Sequence, residues 1–316
     1  MEINMKIAIL GAGAMGCLFG GYLSRHNEVW LIEIDEERAE AVNRDGVRIR
    51  EADGEETFYP KAVTRANGLG EMDLVIVFVK AMFSEAALKA NRDLIGPDTY
   101  VMTLQNGAGH EQNLLKVADR AHVIIGTTKH NSSLIGPGYI NHGGGGVSSI
   151  GLPDGGSGVL APIAESFTCC GFDTIVSDCV KKTIWKKLFV NVSASVVTGI
   201  LQTSLDFIGG SSHAWALTEQ LAREAVRVAN TDHMGFDEEE IVKEVRDLVD
   251  HAHNGYTSIY ADLRDGVPTE VDTISGAVLS EAKRLGVPAP AHSFVVELVH
   301  ALEDRTNGCE TDVSGR

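Results

Sequence analysis

Three glycines near the N-terminus have the spacing that can hold a pyrophosphate against the protein backbone. Gly11, Gly13 and Gly16 form the pattern Gly-x-Gly-x-x-Gly directly after the apolar segment Lys6–Leu10. In this pattern the first glycine permits a tight turn, the second leaves room for the pyrophosphate, and the third lets a helix pack close to a strand. The N–H groups at the start of that helix attract phosphate. The residues predicted to hold a dinucleotide are Gly11, Gly13, Ala14, Met15 and Gly16.

An acidic residue at the end of the next predicted strand indicates which dinucleotide is bound. Glu33 closes that strand, where a carboxylate hydrogen-bonds the ribose hydroxyls of NAD and repels the 2′-phosphate of NADP. Ile34 follows, where an NADP enzyme often carries an arginine. A glycine-rich turn that binds nothing would not explain this acid, so we predict a dinucleotide site that favours NAD. The alternative is that Glu33 is a solvated strand end and that Arg38 accommodates a phosphate.

Two polar residues follow later strands of the same predicted sheet. Lys80 follows the apolar segment Leu74–Val79, and Asn106 follows the next strand within Gln105-Asn106-Gly107. Because the carboxyl ends of the strands line the ligand crevice in open α/β sheets, both residues are placed to meet a cofactor or a substrate. Asn106 can donate and accept hydrogen bonds, and Gly107 permits the turn. A surface lysine and a plain Asn-Gly turn are the alternatives.

A polar stripe lies within an otherwise apolar helical segment in the second half of the chain. Lys187, Asn191 and Ser195 are four residues apart, so in an α-helix they share one face. A solvent-exposed face is one interpretation, although a short amide and a hydroxyl are unusual choices for it. A stripe that faces a ligand-binding cleft explains these residue types at least as well.

An acidic pair follows Pro268. The segment Thr269-Glu270-Val271-Asp272 is predicted to open a helix, where Thr269 would cap the first turn and the acids would complement the helix dipole. We assign that structural role to Asp272. For Glu270, a structural and a functional role both stay open.

Hydrophobic patterning predicts an α/β chain of two domains. In the first half, short apolar strands alternate with helices, and continuous apolar runs such as Leu74–Val79 suit a parallel sheet covered on both faces. This pattern is typical of a Rossmann-type doubly wound parallel sheet. Beyond Ser177 the strand signals fade and helical periodicity predominates. We predict a dinucleotide-binding domain over residues 1–177 and an all-helical substrate-binding and catalytic domain over residues 178–316.

The same patterning gives approximate bounds for each element. Predicted strands cover Lys6–Leu10, Glu28–Glu33, Leu74–Val79, Tyr100–Leu104, Val123–Thr127 and Ser148–Leu152. Predicted helices of the first domain cover Ala14–Ser24, Glu36–Arg44, Ser84–Asn91 and Leu160–Cys170, and the glycines of segment 136–146 predict a hairpin. Predicted helices of the second domain cover Lys181–Thr198, Ala214–Met234, Glu238–Ala252, Ser258–Arg264, Glu270–Leu285 and Ala291–Leu302. The polar tail Asp304–Arg316 is predicted to be loose.

Composition narrows the class of protein. A formal net charge of −17 argues against nucleic acid as a partner, which needs a basic footprint, and against an anionic membrane surface. No apolar run approaches the roughly 20 residues that span a bilayer, and the N-terminal apolar stretch is too short for a signal peptide. The five cysteines have neither zinc spacing nor a disulfide framework, which fits reduced thiols in a cytoplasm. No metal site is predicted, because His251 and His253 would not face one another on a helix.

Taken together, these segments resemble the ketopantoate reductase (2-dehydropantoate 2-reductase) family. The resemblance rests on the glycine motif, Lys80, Gln105-Asn106-Gly107, Trp185-x-Lys187-Leu188-x-x-Asn191, Ser258, and Thr269-Glu270-Val271-Asp272 ahead of Ile274-x-Gly276. It extends over nearly the whole chain, in the same order. The resemblance implies a Rossmann domain joined to a helical domain, and reduction of a 2-oxo acid with NADPH.

The resemblance also implies a role for each candidate residue. Lys187 resembles the general acid that protonates the ketone oxygen as hydride arrives, and Glu270 resembles its partner, which binds the substrate hydroxyl. Hydride addition to a carbonyl builds negative charge on oxygen, and an ammonium group stabilises that charge and can donate its proton. The predicted substrate-binding residues are Asn106, Asn191, Ser195 and Ser258, and Lys80 and Asn106 are predicted to lie around the nicotinamide.

Two departures from the family pattern affect the choice of substrate and cofactor. Ser195 stands where members usually carry a second asparagine, and Ile34 replaces the usual arginine after the second strand. The main prediction is reduction of ketopantoate, a step toward pantothenate and coenzyme A, by a cytoplasmic enzyme that uses NADPH or NADH. The alternatives are an NAD-dependent D-2-hydroxyacid dehydrogenase acting on another branched 2-oxo acid, and a non-catalytic dinucleotide sensor, against which Lys187 and Glu270 argue. The sequence leaves the oligomeric state open, a homodimer included.

Overall fold

The computed structural model describes residues 4–252 and 255–306, and the chain forms two compact units. The first unit comprises residues 1–105 and 110–183, and the second comprises residues 106–109 and 184–316. The boundary predicted between residues 177 and 178 differs from this division in two respects. The first unit extends through Thr183, and the short segment 106–109 belongs to the second unit. Asn106 is therefore part of the helical unit, although its neighbours in the chain are part of the first.

Two β-sheets form the centre of the first unit. In chain order the strands are β1 (Lys6–Leu10), β2 (Glu28–Ile32), β3 (Val47–Glu51), β4 (Gly54–Phe58), β5 (Lys61–Val63), β6 (Leu74–Val77), β7 (Tyr100–Thr103), β8 (Val123–Thr128), β9 (Asn131–Gly136), β10 (Tyr139–Gly144), β11 (Ser148–Gly151) and β12 (Thr174–Val176). The larger sheet has the order β12-β11-β8-β7-β6-β1-β2-β5 and the smaller has the order β4-β3-β10-β9. The larger sheet is parallel except between β8 and β11. Its strand order reverses beside β1, which is where such sheets bind a dinucleotide.

Helices connect several strands of the larger sheet, as the sequence predicts. They are α1 (Ala14–Leu23), α2 (Glu36–Asp45), α3 (Ser84–Ala90), α4 (Glu111–Leu114) and α5 (Ala161–Cys169). Side chains on both faces of the central strands are buried: Ile7 and Ile9 of β1 are 0% exposed, and so is every residue of β6. This burial accounts for the continuous apolar runs in the sequence. The predicted α/β class with a Rossmann-type sheet is confirmed.

The smaller sheet contains two strands that the sequence patterning missed. In β3 the buried Val47 and Ile49 alternate with the exposed Arg48 and Arg50, so only two apolar residues signal a five-residue strand. Strand β4 contains still fewer buried apolar residues. An ion pair of 2.6 Å between Arg48 of β3 and Glu55 of β4 joins the two strands. The hairpin predicted in segment 136–146 is present, since β9 and β10 pair in antiparallel fashion.

The second unit is helical. Its helices are α6 (Val180–Val190, which begins in the first unit), α7 (Val196–Leu201), α8 (Leu205–Gly210), α9 (Ser212–Thr231), α10 (Glu238–His251), α11 (Ser258–Asp265), α12 (Ser275–Leu285) and α13 (Pro290–Thr306). The buried residues Leu221, Ala225 and Val228 recur at helical spacing along α9. A core side chain the size of Leu221 or Val228 stabilises the fold by roughly 1.5–3 kcal/mol when fully buried. Residues 304–306 of the predicted loose tail lie in α13, and residues 307–316 lie outside the described residues.

A π-helical turn interrupts the helix predicted over Lys181–Thr198. Helix α6 ends at Val190, residues Asn191–Ser195 form the π turn, and α7 begins at Val196. In a π-helix the hydrogen bonds join residues five apart, so the turn is wider than that of an α-helix. The prediction of one continuous α-helix is therefore wrong, whereas the shared face of Lys187, Asn191 and Ser195 stays a prediction. Nothing in the apolar periodicity distinguishes this turn from a regular helix.

The helix predicted over Glu270–Leu285 begins later, at Ser275. Residues 271–274 form a turn instead, in which Thr269 Oγ1 accepts a hydrogen bond from the backbone N–H of Val271 at 3.2 Å. The N–H of Thr269 donates to Glu303 of α13 at 2.7 Å. Thr269 thus stabilises a turn ahead of the helix rather than capping the helix itself. Glu270 consequently lies on a turn that is held against α13.

One helical stretch among the described residues, Val180–Leu201, is long and apolar enough to cross a membrane by length and composition alone. In the structure 67% of the most apolar 18 residues of this stretch is buried, as expected for the core helix of a globular unit. The stretch is not an uninterrupted apolar run, because polar residues such as Lys186, Lys187 and Asn191 divide it. Its mean hydropathy nevertheless reaches that of a spanning helix.

Candidate active site

The glycine loop of the first unit has the geometry that a pyrophosphate requires. Gly11 has a φ of +99°, in the left-handed region that favours glycine. A Cβ added at Gly16 would lie 1.9 Å from the Gly11 carbonyl oxygen, so helix α1 can pack this closely only with glycine there. A Cβ added at Gly13 would meet no atom within 4 Å, so nothing crowds the backbone at this point. These residues fit a dinucleotide phosphate at the N-terminus of α1, whose first turn carries no acidic residue.

The Glu33 carboxylate lies against this loop. Its Oε2 accepts a hydrogen bond from the N–H of Ala12 at 2.9 Å, and its Oε1 accepts one from the N–H of Asp35 at 3.1 Å. Arg38 Nη1 is 4.0 Å from Oε2, while the neighbouring Ile34 is 89% exposed. A fixed carboxylate beside the loop is the arrangement that disfavours a 2′-phosphate. The Arg38 guanidinium lies beside the same site, so the alternative that Arg38 accommodates a phosphate stays open.

Lys80 follows β6, and the backbone around it is held by Gln105. The Lys80 carbonyl accepts a hydrogen bond from the N–H of Phe83 at 2.9 Å, and its side chain is half-buried. Gln105 Nε2 donates to the Val79 carbonyl and to Ser84 Oγ, the latter at 3.0 Å. Gln105 therefore fixes the chain on both sides of Lys80.

Lys187 and Asn106 are in direct contact within the second unit. Lys187 Nζ donates a hydrogen bond to Asn106 Oδ1 at 3.1 Å. Burial lowers the pKa of Lys187 to about 8, because removal from water disfavours the ammonium form. The adjacent Lys186 is exposed and forms an ion pair of 2.7 Å with Glu244, which raises its pKa. Lys187 alone of these two lysines gives up a proton readily near neutral pH, which is the property that a general acid needs.

The turn that carries Glu270 packs against the segment that follows Asn106. The N–H of Ala108 donates to the Thr273 carbonyl at 3.0 Å. Gly107 has a φ of +107°, and a Cβ added there would lie 2.1 Å from the same carbonyl oxygen. The N–H and the hydroxyl of Thr273 both donate to the Glu270 carbonyl, at 3.1 and 3.2 Å. Asn106 and Glu270 are thus joined through Thr273.

The other predicted substrate-binding residues lie around the π turn. Asn191 begins the turn and is half-buried, whereas Ser195 ends it and is 7% exposed. The Ser195 carbonyl accepts hydrogen bonds from the hydroxyls of Thr198 at 2.7 Å and Thr257 at 3.3 Å. Thr257 also caps helix α11, whose first residue is the exposed Ser258. The structure therefore joins Ser195 and Ser258 through Thr257, and their roles as substrate-binding residues stay predictions.

Asp272 interacts with a histidine of α13, which the sequence does not predict. Its Oδ1 lies 3.1 Å from Nε2 of His300, whose Nδ1 lies 2.8 Å from Glu303. Burial opposes protonation of His300, but the hydrogen bonds to these two carboxylates outweigh it and raise the pKa of His300. Asp272 does not lie in the first turn of a helix as predicted, because α12 begins only at Ser275.

Two supporting residues of this site, Thr257 and Thr273, were not predicted from the sequence. Thr257 bonds the Ser195 carbonyl and Thr273 bonds the Glu270 carbonyl. Gln105, which belongs to the predicted motif Gln105-Asn106-Gly107, holds the backbone beside Lys80. The sequence signal for such a supporting residue is a polar side chain directly beside a predicted site residue. It is a weak signal, because the contacts join segments far apart in the sequence.

Among the residues that the structure describes, no group of three or more His, Cys, Asp or Glu side chains could hold a metal ion. Cys17 is buried, and burial together with the charge of Glu33 raises the pKa of its thiol to about 12. The predictions for Cys309 and for His253 lie outside the described residues.

The fold and the candidate site define a nicotinamide-dependent oxidoreductase built on a Rossmann-type domain. The family model "Ketopantoate reductase PanE/ApbA" matches residues 7–155, and "Ketopantoate reductase PanE/ApbA C terminal" matches residues 180–303. The chain therefore belongs to the ketopantoate reductase family, which confirms the resemblance seen in the sequence.

Individual relatives cover nearly the whole chain. The 2-dehydropantoate 2-reductase of Lactococcus lactis is 32% identical over 308 residues, which is 95% of this chain and 98% of the relative. That of Halobacterium salinarum is 29% identical over 95% of this chain and 99% of its own length. A D-mandelate dehydrogenase solved with NADH and anilino(oxo)acetate is similar in structure, with a TM-score of 0.89 and 32% identity over 96% of this chain and all of the other. The predicted enzyme class and the NAD(P)H cofactor are thereby confirmed.

Proposed function

We propose that this protein reduces ketopantoate to pantoate by hydride transfer from a nicotinamide cofactor. The observation that carries the proposal is the contact of 3.1 Å between Lys187 and Asn106, at a lysine whose pKa burial lowers to about 8. The relatives named 2-dehydropantoate 2-reductase support the choice of substrate. A non-catalytic dinucleotide sensor would not need an acid tuned in this way.

In the proposed reaction Lys187 acts as the general acid. A reduced nicotinamide, when bound at the glycine loop, supplies the hydride to the carbonyl carbon. Negative charge then grows on the ketone oxygen, and Lys187 Nζ stabilises that charge and donates its proton to the oxygen. Asn106 Oδ1 holds the ammonium group in one direction while it does so. Neutral Lys187 afterwards regains a proton from solvent.

Polar side chains of the helical unit bind the substrate in this proposal. Glu270 accepts a hydrogen bond from the substrate hydroxyl, and Asn191, Ser195 and Ser258 bind its other polar groups. Their placement supports the assignment, since Asn191 begins the turn that follows the helix of Lys187, and Ser258 begins α11 beside that turn. A site that hydrogen-bonds a substrate hydroxyl in this way rejects substrates that lack a matching hydroxyl group.

We propose NADH as the preferred cofactor. Glu33 is 7% exposed and is held against the glycine loop by two backbone N–H groups, so its charge stays beside the adenosine ribose site. This carboxylate would repel a 2′-phosphate at that site, which weakens the binding of NADPH. The D-mandelate dehydrogenase of similar structure was solved with NADH, which supports the same choice.

A second candidate function is that of an NAD-dependent D-2-hydroxyacid dehydrogenase acting on another branched 2-oxo acid. The specific observation is Ser195, which stands where the family usually has a second asparagine and which is buried at the end of the π turn. A shorter side chain there leaves more room for a bulky substrate. The similarity to D-mandelate dehydrogenase supports this candidate.

Steady-state kinetics with a panel of substrates tests the proposal. NADH and NADPH oxidation would be measured with ketopantoate and 2-oxoisovalerate, and NAD reduction with D-mandelate. The highest kcat/KM with ketopantoate and NADH is the expected result. A higher value with 2-oxoisovalerate or D-mandelate would favour the second candidate, and no turnover with any substrate would leave only the sensor.

The proposed function also indicates the ligands of the protein and its location in the cell. A small-molecule 2-oxo acid and a dinucleotide are the expected ligands of a biosynthetic enzyme of this family. We propose that it acts in the cytoplasm. The homodimer stays a prediction.

A further inference from the structure

We propose that Gly107 and Thr273 are positioning residues that set Asn106, and through it Lys187, relative to the turn of Glu270. This inference rests on the proposed function, because it assigns these two residues a part in the same reaction. Neither residue needs to touch substrate or cofactor. They act through the backbone contact between the segment 106–109 and the turn at residues 271–274.

The segment 106–109 and the turn at residues 271–274 are in very close backbone contact. The N–H of Ala108 donates to the Thr273 carbonyl at 3.0 Å, and a Cβ added at Gly107 would lie 2.1 Å from the carbonyl oxygen and 2.7 Å from its carbon. Backbone atoms cannot move aside as the end of a flexible side chain can. Any side chain at Gly107 would therefore force the two segments apart.

Residues of the candidate site lie on each side of this contact. Asn106 directly precedes Gly107 and accepts the hydrogen bond from Lys187 Nζ. On the other side, the N–H and the hydroxyl of Thr273 both donate to the Glu270 carbonyl. Separation of the two segments would thus displace Asn106 from the turn that carries Glu270. Displacements of about 1 Å in a catalytic site can reduce rates by roughly a hundredfold.

The chain offers a matched control for Gly107 two residues away. Gly109 also has a positive φ, +82° against +107° at Gly107, but a Cβ added there meets no atom within 4 Å. Alanine at either position incurs the strain of a left-handed backbone, about 1–2 kcal/mol. Only alanine at Gly107 also separates the two segments. The pair of variants therefore distinguishes positioning from backbone strain.

The test compares Gly107→Ala with Gly109→Ala in the full-length protein with ketopantoate and NADH. We expect kcat to fall at least tenfold in Gly107→Ala and to stay within about twofold of wild type in Gly109→Ala, with both variants assayed well below their Tm values. The upper limb of the pH profile should also move to lower pH in Gly107→Ala only. Lys187 loses an acceptor that favours its ammonium form, so its pKa falls further.

Thr273 gives an independent test if Gly107→Ala does not fold. Thr273→Val removes the hydroxyl that bonds the Glu270 carbonyl, and Thr273→Ser keeps it. We expect KM for ketopantoate to rise about fivefold in Thr273→Val, the effect of one hydrogen bond, and to be restored in Thr273→Ser. A structural role alone would lower Tm without changing KM or the pH profile.

The outcomes separate this inference from the proposed function. Wild-type protein without turnover on ketopantoate would overturn the proposed function. Wild-type turnover with equal kcat and equal pH profiles in Gly107→Ala and Gly109→Ala would overturn the positioning role while the proposed function stands. Equal KM in Thr273→Val and Thr273→Ser would overturn the part assigned to Thr273.

Discussion

Lys187 Nζ donates a hydrogen bond of 3.1 Å to Asn106 Oδ1, across 81 positions of sequence. The contact exists because the segment 106–109 leaves the first unit and joins the helical unit, where the Thr273 carbonyl holds it. An amide oxygen that accepts from an ammonium group fixes its direction without neutralising its charge. Lys187 thus keeps its full charge for a growing oxyanion.

We predict that catalysis depends on a group with a pKa of about 8. Burial lowers the pKa of Lys187 from 10.5 to about 8, and only the protonated form can act as an acid. The value of kcat/KM for ketopantoate should therefore be constant below this pKa and fall as pH rises through about 8. A profile that stays flat up to about pH 10, as for an ordinary lysine, would contradict this assignment.

The cofactor preference should change when the charge of Glu33 is removed. Glu33→Gln keeps an oxygen that can accept from the Ala12 N–H but no longer repels a 2′-phosphate. We expect KM for NADPH to fall roughly tenfold relative to KM for NADH, which initial-rate kinetics would measure. Glu37→Gln, at an exposed position in the first turn of α2, is the control and should leave the ratio unchanged. Strong preference of the wild type for NADPH would refute the role of Glu33.

The hydroxyl of Thr257 should support both stability and substrate binding. It lies 2.9 Å from Thr198 Oγ1, bonds the Ser195 carbonyl and caps α11 at the residue before Ser258. Thr257→Val should lower the free energy of unfolding by about 1 kcal/mol, as loss of an N-cap does, and raise KM for ketopantoate. Urea denaturation and initial rates measure the two effects. Thr257→Ser keeps the hydroxyl, and a KM raised equally in both variants would show that Ser258 does not depend on it.

The fold of the first unit follows closely from its sequence. Strands such as β1 and β6 are buried on both faces, and continuous apolar runs bounded by glycine or polar residues identify such strands well. Strands β3 and β4 could not be predicted in the same way. Their stability comes from pairing with each other and with β10, and their outward residues are charged.

The candidate site was predictable in its residue types but not in its connections. Lys187, Asn106 and Glu270 could be singled out by type and position, whereas the contacts through Thr273 and Thr257 depend on how distant segments pack. The π turn at Asn191–Ser195 has no periodic signal, so the interruption of the α-helix there could not be foreseen.

The most direct test of the account compares two adjacent lysines. Single-turnover reduction of ketopantoate would be followed through NADH absorbance in Lys187→Ala and in Lys186→Ala, with NADH binding measured separately by fluorescence. We predict a rate about a hundredfold or more below wild type for Lys187→Ala, the scale of lost general acid catalysis, with NADH binding intact. Lys186→Ala, which removes only an exposed ion pair with Glu244, should react at close to the wild-type rate. A rate for Lys187→Ala equal to that of Lys186→Ala would contradict the central claim that Lys187 is the acid.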